Sequence, residues 1–176
     1  MAVGSACIET MTPKNRLRQF FFPSVTPKFL LRVVVLSLSA YLVFTYVLIP
    51  IRIQGSSMEP TYHNGSINFC WTLDFLFSRP QRHDVVAVRL AGHGVMLLKR
   101  VVALEGERIE FRYGKLLVDG NTIEEPYVKY PCDWNLLPRQ VEQGSVYVVG
   151  DNRSMPIGDH YFGQASIRRI VGVPLW

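Results

Sequence analysis

The sequence predicts a mainly β protein, with one N-terminal transmembrane helix followed by a compact exported domain. Three observations carry that expectation. From Val33 to Ile49 the run VVVLSLSAYLVFTYVLI contains no charged residue. After it the chain breaks into short segments rich in β-branched and apolar residues, separated by glycine-containing turns. Beyond the run no helical period stands out.

Residues 1–28 read as a basic, irregular tail, in which Pro13, Pro23 and Pro27 discourage a long helix. Residues 29–51 read as a transmembrane anchor. With Phe29 to Leu31 added and Arg32 snorkelling, the helix reaches roughly 30 Å, about the thickness of a bilayer core. A buried core helix is the alternative, and the length of the run argues against it. A cleavable signal peptide would have a shorter apolar region closed by a small-x-small site, whereas this one ends LIPIRIQG. Lys14, Arg16, Arg18, Lys28 and Arg32 precede or open the run, and only Arg52 lies in the twenty residues after Ile51. The positive-inside rule then keeps the amino end in the cytoplasm and places the residues after about 51 on the exported side of the membrane, expected to be a plasma membrane, with an organellar inner membrane as the alternative.

The exported part, residues 52–176, reads as strands and turns. DVVAVRL (84–90) and VMLLKRVVAL (95–104) are two strands with Gly92 and Gly94 between them. RIEFRYGKLLVDGNTI (108–123) reads as two hairpins in series, turned by Tyr113-Gly114 and Asp119-Gly120. GSVYVVGDN (144–152) is a further strand and turn, and IRRIVGVPLW (167–176) a last one. Residues 126–143, with Pro126, Pro131 and Pro138, read as a surface loop.

Composition narrows the function. The formal charge of +5 is in part the anchoring bias of the amino end, so no nucleic-acid partner is expected. The lipid bilayer is the expected partner. Of the three cysteines, Cys7 falls on the cytoplasmic side, while Cys70 and Cys132 are read as free thiols that an oxidising compartment could pair. No Cys/His spacing suggests a metal, and no cofactor is expected.

The segment QGSSMEPTY (54–62) offers two serines, Ser56 and Ser57. A serine hydroxyl is a weak nucleophile and needs a positioned base. His63, His83, His93 and His160 are candidate bases, with Asp84, Asp151 or Asp159 as a third member. None stands in a G-x-S-x-G elbow. A lysine is the other candidate, provided its amine is neutral. Moving its pKa from about 10.4 to about 8 disfavours the charged form by roughly 3 kcal/mol, which requires apolar surroundings. Lys99 fits best, sharing a strand face with Leu97 and Val101 while Arg100 points the other way. Lys115 and Lys129 adjoin turns and should stay hydrated. Two ordinary readings stand beside these: an edge-strand lysine that discourages aggregation, and a turn serine before Pro60.

GSSMEPT just beyond an anchor, then RHDVVAV, LLKRVVALEGE and GDNRS, follow one another in this order. Together they resemble the successive boxes of the type I signal peptidases, membrane-bound Ser–Lys peptidases, from about Ile51 to Trp176. The resemblance implies a domain of coiled antiparallel β-sheets, with any cap domain reduced to the hairpins at 108–123. It implies Ser57 as nucleophile, Lys99 as general base and the Ser57 backbone N–H as oxyanion donor. In some members a serine hydroxyl two residues before the nucleophile also donates to the oxyanion. That position here is Gly55. Ile53, Gly55, Met58 and Leu98 match positions near the substrate cleft, with strand and core packing as the plain reading of Ile53 and Leu98. Gly150, Asp151, Asn152 and Arg153 match a box read here as structural support, a turn that Asp and Asn favour and in which Arg153 pairs internally. After that box the family usually continues Ser-x-Asp-Ser-Arg, with a serine on the catalytic lysine. Those positions fall on Pro156, Gly158, Asp159 and His160, so Ser154 or Ser145 is left as a replacement.

The implied function is removal of N-terminal signal peptides from exported preproteins, with small residues preferred at the first and third positions before the cut. Met58 lies nine residues past the uncharged run, which would put the site near the membrane surface. A specialised processing peptidase, such as a pilin-maturing enzyme, shares the chemistry. Self-cleaving LexA-type repressors share it too, but lack an anchor and carry a DNA-binding segment. A catalytically silent, membrane-tethered binding protein is the reading from another class, and the intact Ser57 and Lys99 count against it.

Overall fold

The computed structural model describes residues 26–89, 96–130 and 132–176. The expectations placed on residues 1–25, on Gly92, His93 and Gly94, and on Pro131 lie outside the described residues. The chain divides into two units, one ending at Leu42 and one beginning at Val43.

In the first unit, helix α1 (Pro27–Leu42) has proline at its first position, where no intrahelical donor is lost. Thr26 Oγ1 caps it, accepting from the Phe29 N–H at 3.2 Å. None of its residues is buried, although most are apolar. With the π-helical turn Val43–Val47 the helix runs 21 residues, long and apolar enough to cross a membrane. The predicted segment 29–51 is not helical to its end. Pro50 lacks the N–H that a helix would use and biases residue 49 away from helical angles. Leu48–Arg52 is accordingly a strand, β1.

Among the described residues the second unit contains two antiparallel sheets. The larger has seven strands in the order β1-β2-β11-β3-β4-β9-β10. Here β2 is Ile67–Trp71, β3 Val85–Arg89, β4 Met96–Ala103, β9 Ser145–Val149, β10 Gly163–Ser166 and β11 Ile170–Pro174. A four-residue helix, α2 (Asp74–Phe77), follows β2. The smaller sheet is ordered β7-β6-β5-β8, with β5 at Arg108–Arg112, β6 at Lys115–Val118, β7 at Asn121–Thr122 and β8 at Leu136–Gln140. Its two hairpins turn where expected. Tyr113-Gly114 and Asp119-Gly120 all have positive φ, the backbone of a two-residue type I′ turn.

Strand β8 corrects the reading of 126–143 as loop throughout. It pairs with β5 at the edge of the small sheet, and Pro138 sits where the register shifts between Arg139 and Leu136. An edge strand tolerates a proline there because its outward N–H needs no partner.

Three apolar clusters hold the second unit together. One packs Val102, Tyr147 and Val149 of the large sheet against Ile109, Phe111, Leu116 and Trp134. A second gathers Ile51, Ile53, Met58, Cys70, Ala87 and Leu98. A third joins Val86, Val88, Val101, Val146 and Val148. Cys70 lies in the second cluster and Cys132 against the first, and both are free thiols.

Candidate active site

Lys99 sits in the middle of β4, opposite Val86 of β3, with β9 on the strand's other side. It is therefore on an interior strand, and the edge-strand reading does not apply. Only 2% of it is exposed. Burial pulls its pKa down to about 8, with the Asp151 carboxylate acting in the opposite direction. Lys115 and Lys129 are exposed.

Ser57 lies on the turn that follows β1. Its Oγ is 2.7 Å from Lys99 Nζ, the one hydrogen bond that Nζ makes among the described residues. The Ser56 hydroxyl faces away, toward Met155 Sδ at 3.6 Å. Met58, 2% exposed, plugs the turn into the second apolar cluster. Tyr62 N–H closes the turn on the Met58 carbonyl at 2.9 Å, and Gly55 N–H donates to Asn64 Oδ1 at 3.1 Å. Gly55 has φ of +91°, a conformation that a serine would enter only with strain. No hydroxyl is offered at that position.

A second turn, Gly150 to Arg153, clamps the first. Asn152 donates its N–H to the Ser57 carbonyl and its Nδ2 to the Ser56 carbonyl, each at 3.0 Å. Thr61 Oγ1 donates to Asp151 Oδ2 at 2.6 Å. Asp151 is fully buried and accepts from Arg100 Nε at 2.7 Å and Nη2 at 2.6 Å. Arg100 also donates to the His83 carbonyl and lies 3.9 Å over the Tyr127 ring. Arg153, 1% exposed, donates to the Gly150 carbonyl at 2.8 Å and to both Glu125 oxygens at 3.0 and 2.5 Å. Every charge in this layer has a partner, as burial demands.

Among the described residues no histidine bonds either serine hydroxyl. His63 and His83 are exposed, His83 beside the Tyr127 hydroxyl. Asp84 accepts from the Gln81 N–H, and Asp159 is exposed. His160 is 5% exposed, and neither ring nitrogen has a partner among the described residues. Burial first, then the Lys99 and Arg153 charges, push it down to about 4, with the main chain at Asn152 and Tyr161 acting the other way. Ser154 donates to Asn152 Oδ1 at 2.7 Å, and Ser145 begins β9, so neither bonds Lys99.

A groove of about 250 Å³ opens at Ser57. Ile51, Ile53, Met58, Met96 and Leu98 supply apolar walls, Gly55 lies beside Ser57, and Arg52 and Gln54 add polar groups. Ile53, Gly55, Met58 and Leu98, the four cleft residues expected from the sequence, thus meet at one place. Met96, Arg100 and Glu125 were given no role in the site, and His160 was considered only as a base for the serines. Nothing in the sequence singles out Arg100 or Glu125, and only pairing across the fold reveals their burial. His160 carried a signal, since it stands where an arginine is usual.

A family model described as signal peptidase, peptidase S26, matches residues 27–175. The probable thylakoidal processing peptidase 2 of Arabidopsis thaliana is 34% identical over 131 residues, which is 70% of this chain and 36% of that protein. This chain therefore spans little more than a third of that relative's length. Signal peptidase I V of Bacillus subtilis is 32% identical over 141 residues, covering 72% of this chain and 83% of the relative. A crystal structure of a signal peptidase I from Enterococcus faecalis superposes with a TM-score of 0.45 at 27% identity, covering 55% of this chain and 97% of that one.

Proposed function

The chain belongs to the signal peptidase family, peptidase S26, and on that premise we propose that it is a membrane-anchored serine endopeptidase that removes signal peptides from exported preproteins. The observation that carries the reading is the 2.7 Å contact between Ser57 Oγ and a buried Lys99 Nζ beside an apolar groove. A lysine with a pKa near 8 is neutral in a minor but catalytically sufficient fraction at physiological pH, and in that form it can accept the serine proton.

In this mechanism the substrate lies along the groove, with small side chains against Ile53, Met58 and Leu98. Ser57 Oγ attacks the scissile carbonyl carbon while its proton passes to Lys99 Nζ. The oxyanion meets the Ser57 N–H, which donates to no protein acceptor among the described residues. Gly55 adds no hydroxyl, so the main chain does this work alone, and one such donor contributes roughly 3 kcal/mol. Nζ then returns the proton to the leaving amine as the C–N bond breaks. Water, deprotonated by Lys99, hydrolyses the acyl ester. The turn Gly150–Arg153 supports the nucleophile without touching the substrate.

The apolar helix Pro27–Val47 serves as a single-pass anchor, its amino end in the cytoplasm and the peptidase domain on the exported side of the plasma membrane. The full-length protein in detergent, given a preprotein with an Ala-x-Ala site, should cut once after that site, as read by mass spectrometry. A folded protein that cuts no signal peptide would overturn the peptidase reading in favour of a tethered binding protein.

A further inference from the structure

His160 presents a problem of hydrogen-bond accounting next to the Ser57–Lys99 pair. It is 5% exposed, and both ring nitrogens lack partners among the described residues. Buried polar side-chain atoms are nearly always paired, and an exception inside an active site calls for a cause. The ring is firmly placed. It meets Trp134 edge-on with centroids 4.9 Å apart and lies 6.2 Å from Phe162. Its other side rests on Gly150. A Cβ on that glycine would stand 2.6 Å from His160 Cε1, 2.9 Å from Nε2 and 2.2 Å from the Ser57 carbonyl oxygen. The imidazole and the nucleophile's main chain therefore crowd the same point.

The charged groups facing the ring are Lys99 of β4 and Arg153 of the turn after β9, while Asp159 on its own segment is exposed. Asp151 faces Lys99. Against two cations and buried, His160 is neutral at pH 7 and offers one ring nitrogen as an acceptor. Lys99 needs such a group. Once it takes the Ser57 proton it is a buried ammonium with three donors. Pro156 brings no hydroxyl, and Ser154 is occupied by Asn152.

We propose that His160 is a positioning residue for catalysis, its neutral imidazole accepting a hydrogen bond from the Lys99 ammonium that forms as Ser57 attacks. This rests on the Ser–Lys reading above. The proton leaves Ser57 Oγ, resides on Lys99 Nζ and departs on the leaving amine. His160 keeps its single ring proton throughout.

An acceptor for the ammonium favours the charged form and so raises the Lys99 pKa, against the burial that lowers it. Removing the acceptor should shift the acid limb of the rate profile to lower pH while lowering the plateau. A packing role alone would not split the two.

The test uses the full-length protein in detergent, with His160→Phe to fill the space without an acceptor and His160→Gln to retain one. The Lys99 pKa is read from the pH dependence of its reaction with an amine-acylating reagent, by peptide mass spectrometry, and kcat from signal-peptide cleavage. His160→Phe should lower the Lys99 pKa by about one pH unit and the plateau kcat about 10- to 100-fold, with KM little changed. His160→Gln should restore most of both. A His160→Phe protein with parent-like thermal unfolding whose Lys99 titrates as in the parent overturns the proposal. Should the phenylalanine fail to fold, His160→Leu gives the same two outcomes. Failure of the dyad itself would appear separately, as cleavage retained by Ser57→Ala and Lys99→Ala.

Discussion

A lysine amine becomes a base only where its charged form is disfavoured, and Lys99 meets that condition by its position on an interior strand. That much was legible in LLKRVV, because the alternation of a strand puts Lys99 with Leu97 and Val101. The choice of Ser57 over Ser56 was not legible from the pair alone and came from the box around it. In the structure the two hydroxyls diverge, one to Lys99 and one to Met155. Gly150 decides the placement of Ser57 at the same scale. A Cβ there would come within 2.2 Å of the Ser57 carbonyl oxygen, a main-chain atom that cannot swing aside. Gly150→Ala should therefore displace Ser57, the proposed nucleophile, and a displacement near 1 Å lowers the rate about 100-fold. Gly158→Ala, with nothing within 4 Å, should cleave as the parent does in the same kcat/KM assay.

At the scale of elements, the site is two turns pressed together over β4. The Ser57 turn has few internal bonds and depends on Asn152, Asp151 and Thr61 for its shape. Asp151 is the joint, since it holds Arg100 on β4 and Thr61 on the Ser57 turn. Asp151→Ala would leave Arg100 buried without its anion, and breaking a buried pair in this way destabilises by about 3–5 kcal/mol. Denaturant unfolding should register that loss. Arg79→Ala, which removes a pair exposed at 82% and 40%, should change stability by less than about 1 kcal/mol. The hairpins of the small sheet were readable because Asp-Gly and Tyr-Gly carry their turn geometry locally. Strand β8 was not, because its pairing with β5 depends on residues far away in sequence and Pro138 mimics a loop.

At the scale of the whole molecule, the site lies where β1, β4 and the turn after β9 come together, so its pieces are separated by some forty and fifty residues. Such distances explain why part of the site stayed hidden in the sequence. Order and spacing identified the boxes, but the partners of Arg100 and Arg153 and the packing around His160 exist only once the strands have paired. The most direct test of the account is kcat/KM for cleavage of an Ala-x-Ala signal peptide by the parent, Ser57→Ala and Lys99→Ala, each shown to be folded. The account predicts that each substitution lowers kcat/KM by at least about 1,000-fold, since nucleophile and base act as a unit. Cleavage at the same site by either variant at the parental rate would contradict it.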